Sequence, residues 1–259
     1  MAASAPAGKT PPDGSPKAQT PVASTQAPAA GTGETKPPAT LNSVLDAMDR
    51  QARMFSSART DLLWDQYEAS VQVHDLQSGT MWIRKKGKNL EMTANLWQGE
   101  KPGSKGAAEK YLLLSGGRVQ VFQPKVNQVL EYDTGKDRQA FESFLVLGFG
   151  GGGHALLDQF SVRYVGQETL KGVGTEPESH QGVSTEKLEL IPKSSKVKGM
   201  FERIELWINP AGVSVQQKFY ETANGNFRLV RYSNIGLNVK VKDDVFKLKT
   251  NSSTQTVDR

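Results

Sequence analysis

Gly148, Gly150 and Gly153 reproduce the G-x-G-x-x-G spacing that, in dinucleotide-binding proteins, lets a turn and a helix N-terminus cradle a pyrophosphate. That chemistry needs a strand before the motif, a helix after it and an acidic residue about twenty positions on. Here the glycines sit in the run Gly148-Phe149-Gly150-Gly151-Gly152-Gly153, between two apolar patches with helical spacing: Phe141, Phe144, Leu145 and Leu147, then Ala155, Leu156, Leu157 and Phe160. The run therefore reads as a flexible hinge and not as a nucleotide site. The three histidines, His74, His154 and His180, are much farther apart than the short spacings of metal-binding segments. With no cysteine, the chain has no disulfide framework, no thiolate ligand and no Cys nucleophile. Asp61 and Asp65 could pair across one turn, but no G-x-S-x-G or H-E-x-x-H arrangement accompanies them. The expectation is no catalytic residue, no metal and no cofactor.

Composition narrows the class further. The net charge of +5 and the isoelectric point near 9.2 come from basic residues interleaved with acidic ones, as in Lys187-Leu188-Glu189. This describes a solvated surface and no nucleic-acid partner. No apolar run approaches the roughly 18 residues a membrane-spanning helix requires. Residues 1–40 are rich in Pro, Ala, Gly, Ser and Thr and poor in bulky apolar residues, so they cannot offset their ordering entropy and read as a disordered tail. They resemble the stretch that follows an export signal, and an exported chain with its signal removed is the expectation. The absence of cysteine excludes a lipid attached at an N-terminal Cys. One domain is expected over residues 41–250, with a disordered tail over 251–259.

The elements that would position any site follow from periodicity. Leu41, Val44, Leu45, Met48, Ala52 and Phe55 recur at steps of three and four, predicting an amphipathic helix capped by Thr40 or Asn42. The period then changes to two. Leu63, Tyr67, Ala69, Val71 and Val73 alternate with polar residues, interrupted by Asp65. Alternation returns over 81–85, at Leu90, Met92, Ala94 and Leu96, and in segments near 110–114, 118–122 and 128–132. It resumes in further segments between Phe160 and Ile235, joined by turns such as Asn209-Pro210-Ala211-Gly212 and Asn224-Gly225. Short links favour antiparallel neighbours. The fold class is mainly β (α+β): a curved antiparallel half-barrel of about eleven strands covered by a helical lid.

Three segments, in this order behind the opening helix and strand, resemble the LolA-like family of periplasmic outer-membrane lipoprotein carriers. Gly79-Thr80-Met81-Trp82-Ile83-Arg84-Lys85 is similar to the family's G-x-x-W-[VI]-[KR]-[KR] strand. Phe122-Gln123-Pro124 is similar to its Y/F-x-P turn, and Ile204-Glu205-Leu206-Trp207-Ile208-Asn209-Pro210 precedes a strand beginning at Val213. The resemblance implies a helix-covered half-barrel whose interior receives acyl chains of lipoproteins. It also implies an inner-membrane lipoprotein-releasing ABC transporter as donor and an outer-membrane acceptor, with the carrier acting as a periplasmic monomer.

The inward rows expected to line an acyl-chain cavity are Leu63, Tyr67, Val71, Ile83, Leu90, Met92, Leu114, Val121, Ile204 and Leu206. The residues expected to form or gate the lid are Lys85, Phe141, Phe144, Leu147 and Leu156. Family members carry an inward Arg that holds the lid at the position of Lys85, and Lys lacks that planar fork. Arg84 should point to the opposite face. Three rivals stand beside this reading: a carrier or sensor of another envelope lipid, an envelope-stress regulator on the same fold, and a hydrolase using the cavity.

Overall fold

A computed structural model describes residues 39–87, 89–100, 107–133, 147–175, 178–221 and 224–258. Thr40 caps the first helix, α1 (Leu41–Met54): its hydroxyl accepts from the Ser43 amide, and the Ser43 hydroxyl receives the Thr40 amide. This reciprocal box satisfies two donors that the first helical turn leaves open. The helix turns Val44, Leu45, Met48 and Gln51 inward. At its end Phe55 takes extended backbone, and the chain enters the sheet.

Twelve strands form one open sheet. The first six are β1 (Ser57–Glu68), β2 (Val73–Lys86), β3 (Asn89–Gln98), β4 (Lys110–Ser115), β5 (Arg118–Gln123) and β6 (Gln128–Asp133), a meander of consecutive antiparallel neighbours. The next five, β7 (Phe160–Leu170), β8 (Val183–Pro192), β9 (Phe201–Ile208), β10 (Ser214–Glu221) and β11 (Phe227–Leu237), form a second meander. Antiparallel pairing of β11 with β1, with Leu62 opposite Tyr232, joins the two. One helical turn, Leu156–Gln159, leads into β7. The second patch of the sequence reading is therefore helical only up to Gln159; of the first, Leu147 is described and lies in a turn, while Phe141, Phe144 and Leu145 lie outside the described residues.

The last strand is a correction. Residues 251–259 read as a disordered tail, yet Gln255–Asp258 forms β12, parallel to β6 from Gln128 to Glu131. The chain passes the outer face of β2 and β3 on its way to that edge and is fastened at several points. The Asn238 side chain accepts from the Ser56 amide at 2.8 Å. The Arg84 guanidinium lies over the Phe246 ring, 4.1 Å from its centre, and pairs with both Glu91 and Asp243. Thr254 donates to Asn127 at 2.8 Å. No periodicity announces a strand this short, and its order comes from these tertiary contacts.

Two apolar clusters share the inner face. Ala58, Leu62, Met81, Ile83, Met92, Leu114 and the loop residue Phe149 belong to the first. The second lies between α1 and β7–β10, where Val44, Leu45 and Met48 meet Leu188, Leu190, Ile204 and Leu206. The glycine-rich run is no free hinge but a close-fitting tape. A Cβ on Gly153 would lie 2.4 Å from the Leu45 carbonyl oxygen, and one on Gly150 would lie 2.4 Å from the Phe55 ring. Absence of side chains lets backbone approach backbone, the other use of glycine.

Candidate functional site

The inner face of β1–β5 is the candidate site, because α1 lies over β7–β10 and leaves it to the first cluster. Its floor is fully buried: Ile83 and Leu114 are 0% exposed, and Met92 is 4% exposed. Around the floor stand partly buried apolar side chains, Trp64 on β1, Leu90 on β3, Leu112 on β4 and Val121 on β5. Strand alternation places them: Leu90 and Met92 share one side of β3, and register sets Met92 opposite both Ile83 and Leu114. A floor ringed by half-covered Trp and Leu can hold an elongated apolar ligand by area burial, without directional chemistry.

The ten residues expected to line a cavity separate into four groups. Ile83, Met92 and Leu114 form the floor, with Leu90 and Val121 at its border. Ile204 and Leu206 are equally buried but belong to the second cluster, beneath α1. Leu63 and Tyr67 point the other way. Leu62 and Trp64 are the inward residues of β1, so Leu63 and Tyr67 alternate to the outer face, where Tyr67 stacks on Phe227 with ring centres 4.9 Å apart. Val71 lies in the β1–β2 turn and is 63% exposed. Sequence reasoning missed Leu62, Trp64 and Leu112. The signal for the first two was present, since Asp61 and Asp65 share the parity of Leu63 and Tyr67.

Of the residues expected to form or gate a lid, Leu147 and Leu156 are buried in the second cluster, and Phe141 and Phe144 lie outside the described residues. Lys85 fastens the end of α1. Its Nζ donates to the Ala52 carbonyl oxygen at 2.7 Å and lies 5.8 Å from the centre of the Phe55 ring. A cation at a helix C-terminus satisfies a carbonyl that the last turn leaves open. Arg84 faces outward, as its neighbouring position on β2 requires.

The glycine tape is pinned to α1 and to β10. Asp49 accepts from the His154 amide at 3.3 Å, and its other oxygen lies 2.6 Å from His154 Nδ1. Burial alone would raise the Asp49 pKa, but the hydrogen bonds from the His154 side chain and backbone outweigh it and hold the carboxyl below its ordinary value. On the other side Gln217 Nε2 donates to the Leu147 carbonyl, and the Tyr232 hydroxyl donates to Gln217 Oε1 at 3.3 Å. Burial pushes the Tyr232 hydroxyl pKa up. Asp46, Asp49 and His154 bring one potential metal-ligand atom each within 4.8 Å of the others. The His is distant in sequence from the two aspartates, which is why spacing gave no sign of the group. Among the described residues no helix is long and apolar enough to cross a membrane.

No family matches the chain by sequence, and no curated protein matches it. Solved structures do resemble it. An uncharacterized conserved protein from Thermus thermophilus is similar over 84% of this chain and 98% of that one, at 11% identity and a TM-score of 0.46. A LolA superfamily protein from Nitrosomonas europaea is similar over 81% and 98%, at 14% identity and a TM-score of 0.37. The MucA/MucB complex of Pseudomonas aeruginosa contributes a similar chain at 10% identity and a TM-score of 0.42, covering 79% of this chain and 60% of that one.

Proposed function

We propose that this chain is a periplasmic carrier that shelters the acyl chains of lipoproteins against the inner face of β1–β5. It receives them from an inner-membrane lipoprotein-releasing ABC transporter and yields them to an outer-membrane acceptor. The observation that supports the reading best is the ring of partly buried Trp64, Leu90, Leu112 and Val121 around a fully buried floor. Each methylene laid against such a surface contributes about 0.8 kcal/mol, so an acyl chain is held without any charged anchor. In this reading the glycine tape, whose Phe149 packs in the first cluster, is the movable cover. Lys85, Leu147 and Leu156 hold it down, and Phe141 and Phe144 belong to the segment that enters it. Release is passive and follows a better apolar site on the acceptor.

Native mass spectrometry and lipid extraction of protein purified from an envelope fraction test this directly. Bound acylated peptides or intact lipoproteins are the expected result. A different stoichiometric lipid would replace the cargo and keep the carrier. Protein that carries no lipid and takes up no fluorescent fatty acid would make the ring of apolar side chains ordinary core and remove the proposal.

A further inference from the structure

The exposed apolar side chains are not spread evenly over the surface. Val71, Val73, Val126, Ile191 and Met200 all lie at one end of the sheet, and they are five of the eight large apolar side chains found exposed among the described residues. The topology requires this placement. β1 reaches that end at Glu68, opposite Val73, and β11 begins there, with Phe227 opposite both Tyr67 and Tyr220. β9 begins there with Phe201 opposite Glu221. Because all intervening neighbours are antiparallel, the β1–β2, β5–β6, β8–β9 and β10–β11 turns share the end. The first and the last of these touch: Asn226 accepts from the Ala69 amide at 2.8 Å.

The turns carry apolar side chains that a chain selected only for solubility would replace. Val71 is 63% exposed and Val126 is 65% exposed, each at the tip of its hairpin. The residue after Val71, Gln72, holds φ at +54°, a left-handed conformation that is costly without a glycine. The β8–β9 turn adds charge. Lys193, Lys196 and Lys198 fall within Lys193-Ser194-Ser195-Lys196-Val197-Lys198-Gly199-Met200, which has no carboxylate, and Met200 is 47% exposed. Lys193 and Lys198 are exposed, and the Lys193 ammonium also donates to the Leu157 carbonyl oxygen at 2.6 Å. Glu68 and Glu202 border the turns, so the attraction for an anionic surface belongs to the 193–198 segment and the apolar contact to the tips.

From this arrangement we infer that this end of the sheet docks on the surface of a bilayer containing anionic lipid, with Val71, Val126 and Met200 entering the interface and Lys193 and Lys198 contacting headgroups. Separate apolar tips at one end of the sheet suit a fluid plane. They form neither a groove nor a strand edge of the kind that receives a peptide. Lysine suits the boundary, because its apolar stem can lie along the interface while its charge stays in water. The inference holds whatever the inner face carries.

Flotation of the full chain with phosphatidylcholine vesicles, with and without phosphatidylglycerol, tests it. Wild type is expected to float with the phosphatidylglycerol vesicles and to lose most of that association in high salt. The triple variant Lys193→Gln/Lys196→Gln/Lys198→Gln should lower the partition coefficient by on the order of a hundredfold, roughly fivefold per lysine near an anionic surface. Val71→Ser/Val126→Ser/Met200→Ser should lower it at every salt concentration. Unchanged urea midpoints would show that both variants fold. Wild type that floats no better with phosphatidylglycerol than without it, or two folded variants that both float like wild type, would overturn the inference and leave these turns to a protein partner or to the solvent.

Discussion

Replacing Gly153 by alanine should break the seat of the glycine tape on α1, while the same change at Gly151, two residues away, should not. A Cβ at residue 153 would meet the Leu45 carbonyl oxygen at 2.4 Å, its Cα at 2.6 Å and its carbonyl carbon at 2.9 Å. All three are backbone atoms of a packed helix, so no side chain can turn away and the helix or the tape must move. Overpacking of this kind costs about 1–3 kcal/mol, which for a chain of this size is a fall in Tm of roughly 2–10 °C. At Gly151 a Cβ meets nothing within 4 Å, and its backbone lies outside the left-handed region. There the loss of unfolded-state freedom should leave stability unchanged or raise it by about 0.4–1 kcal/mol. Urea unfolding of the two variants measures the difference, and amide exchange in α1 locates it. Gly153→Ala should unfold at lower urea with an unchanged slope and exchange faster at Leu45 and its neighbours. It should also admit a fluorescent fatty acid faster if the tape covers the inner face. Equal stability of the two variants would refute the close approach, and with it the view of this run as a tape.

Floor and rim of the candidate site should separate under truncation. Ile83→Ala should cost about 2–5 kcal/mol of stability, whereas Trp64→Ala should cost less and weaken fatty-acid binding more, as read by urea titration and fluorescent displacement. Phe246→Ala should cost about 3–5 kcal/mol by uncovering the outer face of β2 and β3, and limited proteolysis should then cut near residues 240–254. Glu91 should make that same face acid-sensitive. Burial raises its pKa, but hydrogen bonds from Arg84, Lys86 and Ser115 hold it below the ordinary 4.5. The stability it supplies is complete above that value and lost as pH falls through its lower folded pKa. Wild type should therefore lose its advantage over Glu91→Gln in urea midpoints measured on the acid side of that value. Lys85→Met should cost about 0.5–1.5 kcal/mol through the carbonyl left open at Ala52, and Lys85→Arg should restore most of it if the contact is a helix-end hydrogen bond.

What the sequence displayed and what it concealed have separate physical causes. Period, turn residues and the Thr40 cap were local, so the helix over 41–54 and the antiparallel order of the strands could be read from neighbours in the chain. Facing in β1 was ambiguous because Leu62-Leu63-Trp64 is apolar on both sides of the strand, and a slip of one residue exchanges the faces. The charges resolve it. Asp61 accepts from Thr80 at 3.0 Å, and Asp65 lies 2.8 Å from the His74 ring on the outer face. Any row containing both aspartates is therefore the wet one, and Leu63 and Tyr67 go with it. The division of the inward rows into two clusters was beyond reach, since no local pattern says that α1 covers β7–β10 while leaving Trp64 and Leu112 half open. The glycine run shows the limit most plainly. Composition treats a chain of glycines as freedom, but a glycine is required wherever two backbones must touch, and only the partner segment, here Leu45 on a helix about a hundred residues earlier, distinguishes a hinge from a seat. Gly153→Ala against Gly151→Ala is thus a test of the structure at the one place where sequence offered two opposite meanings.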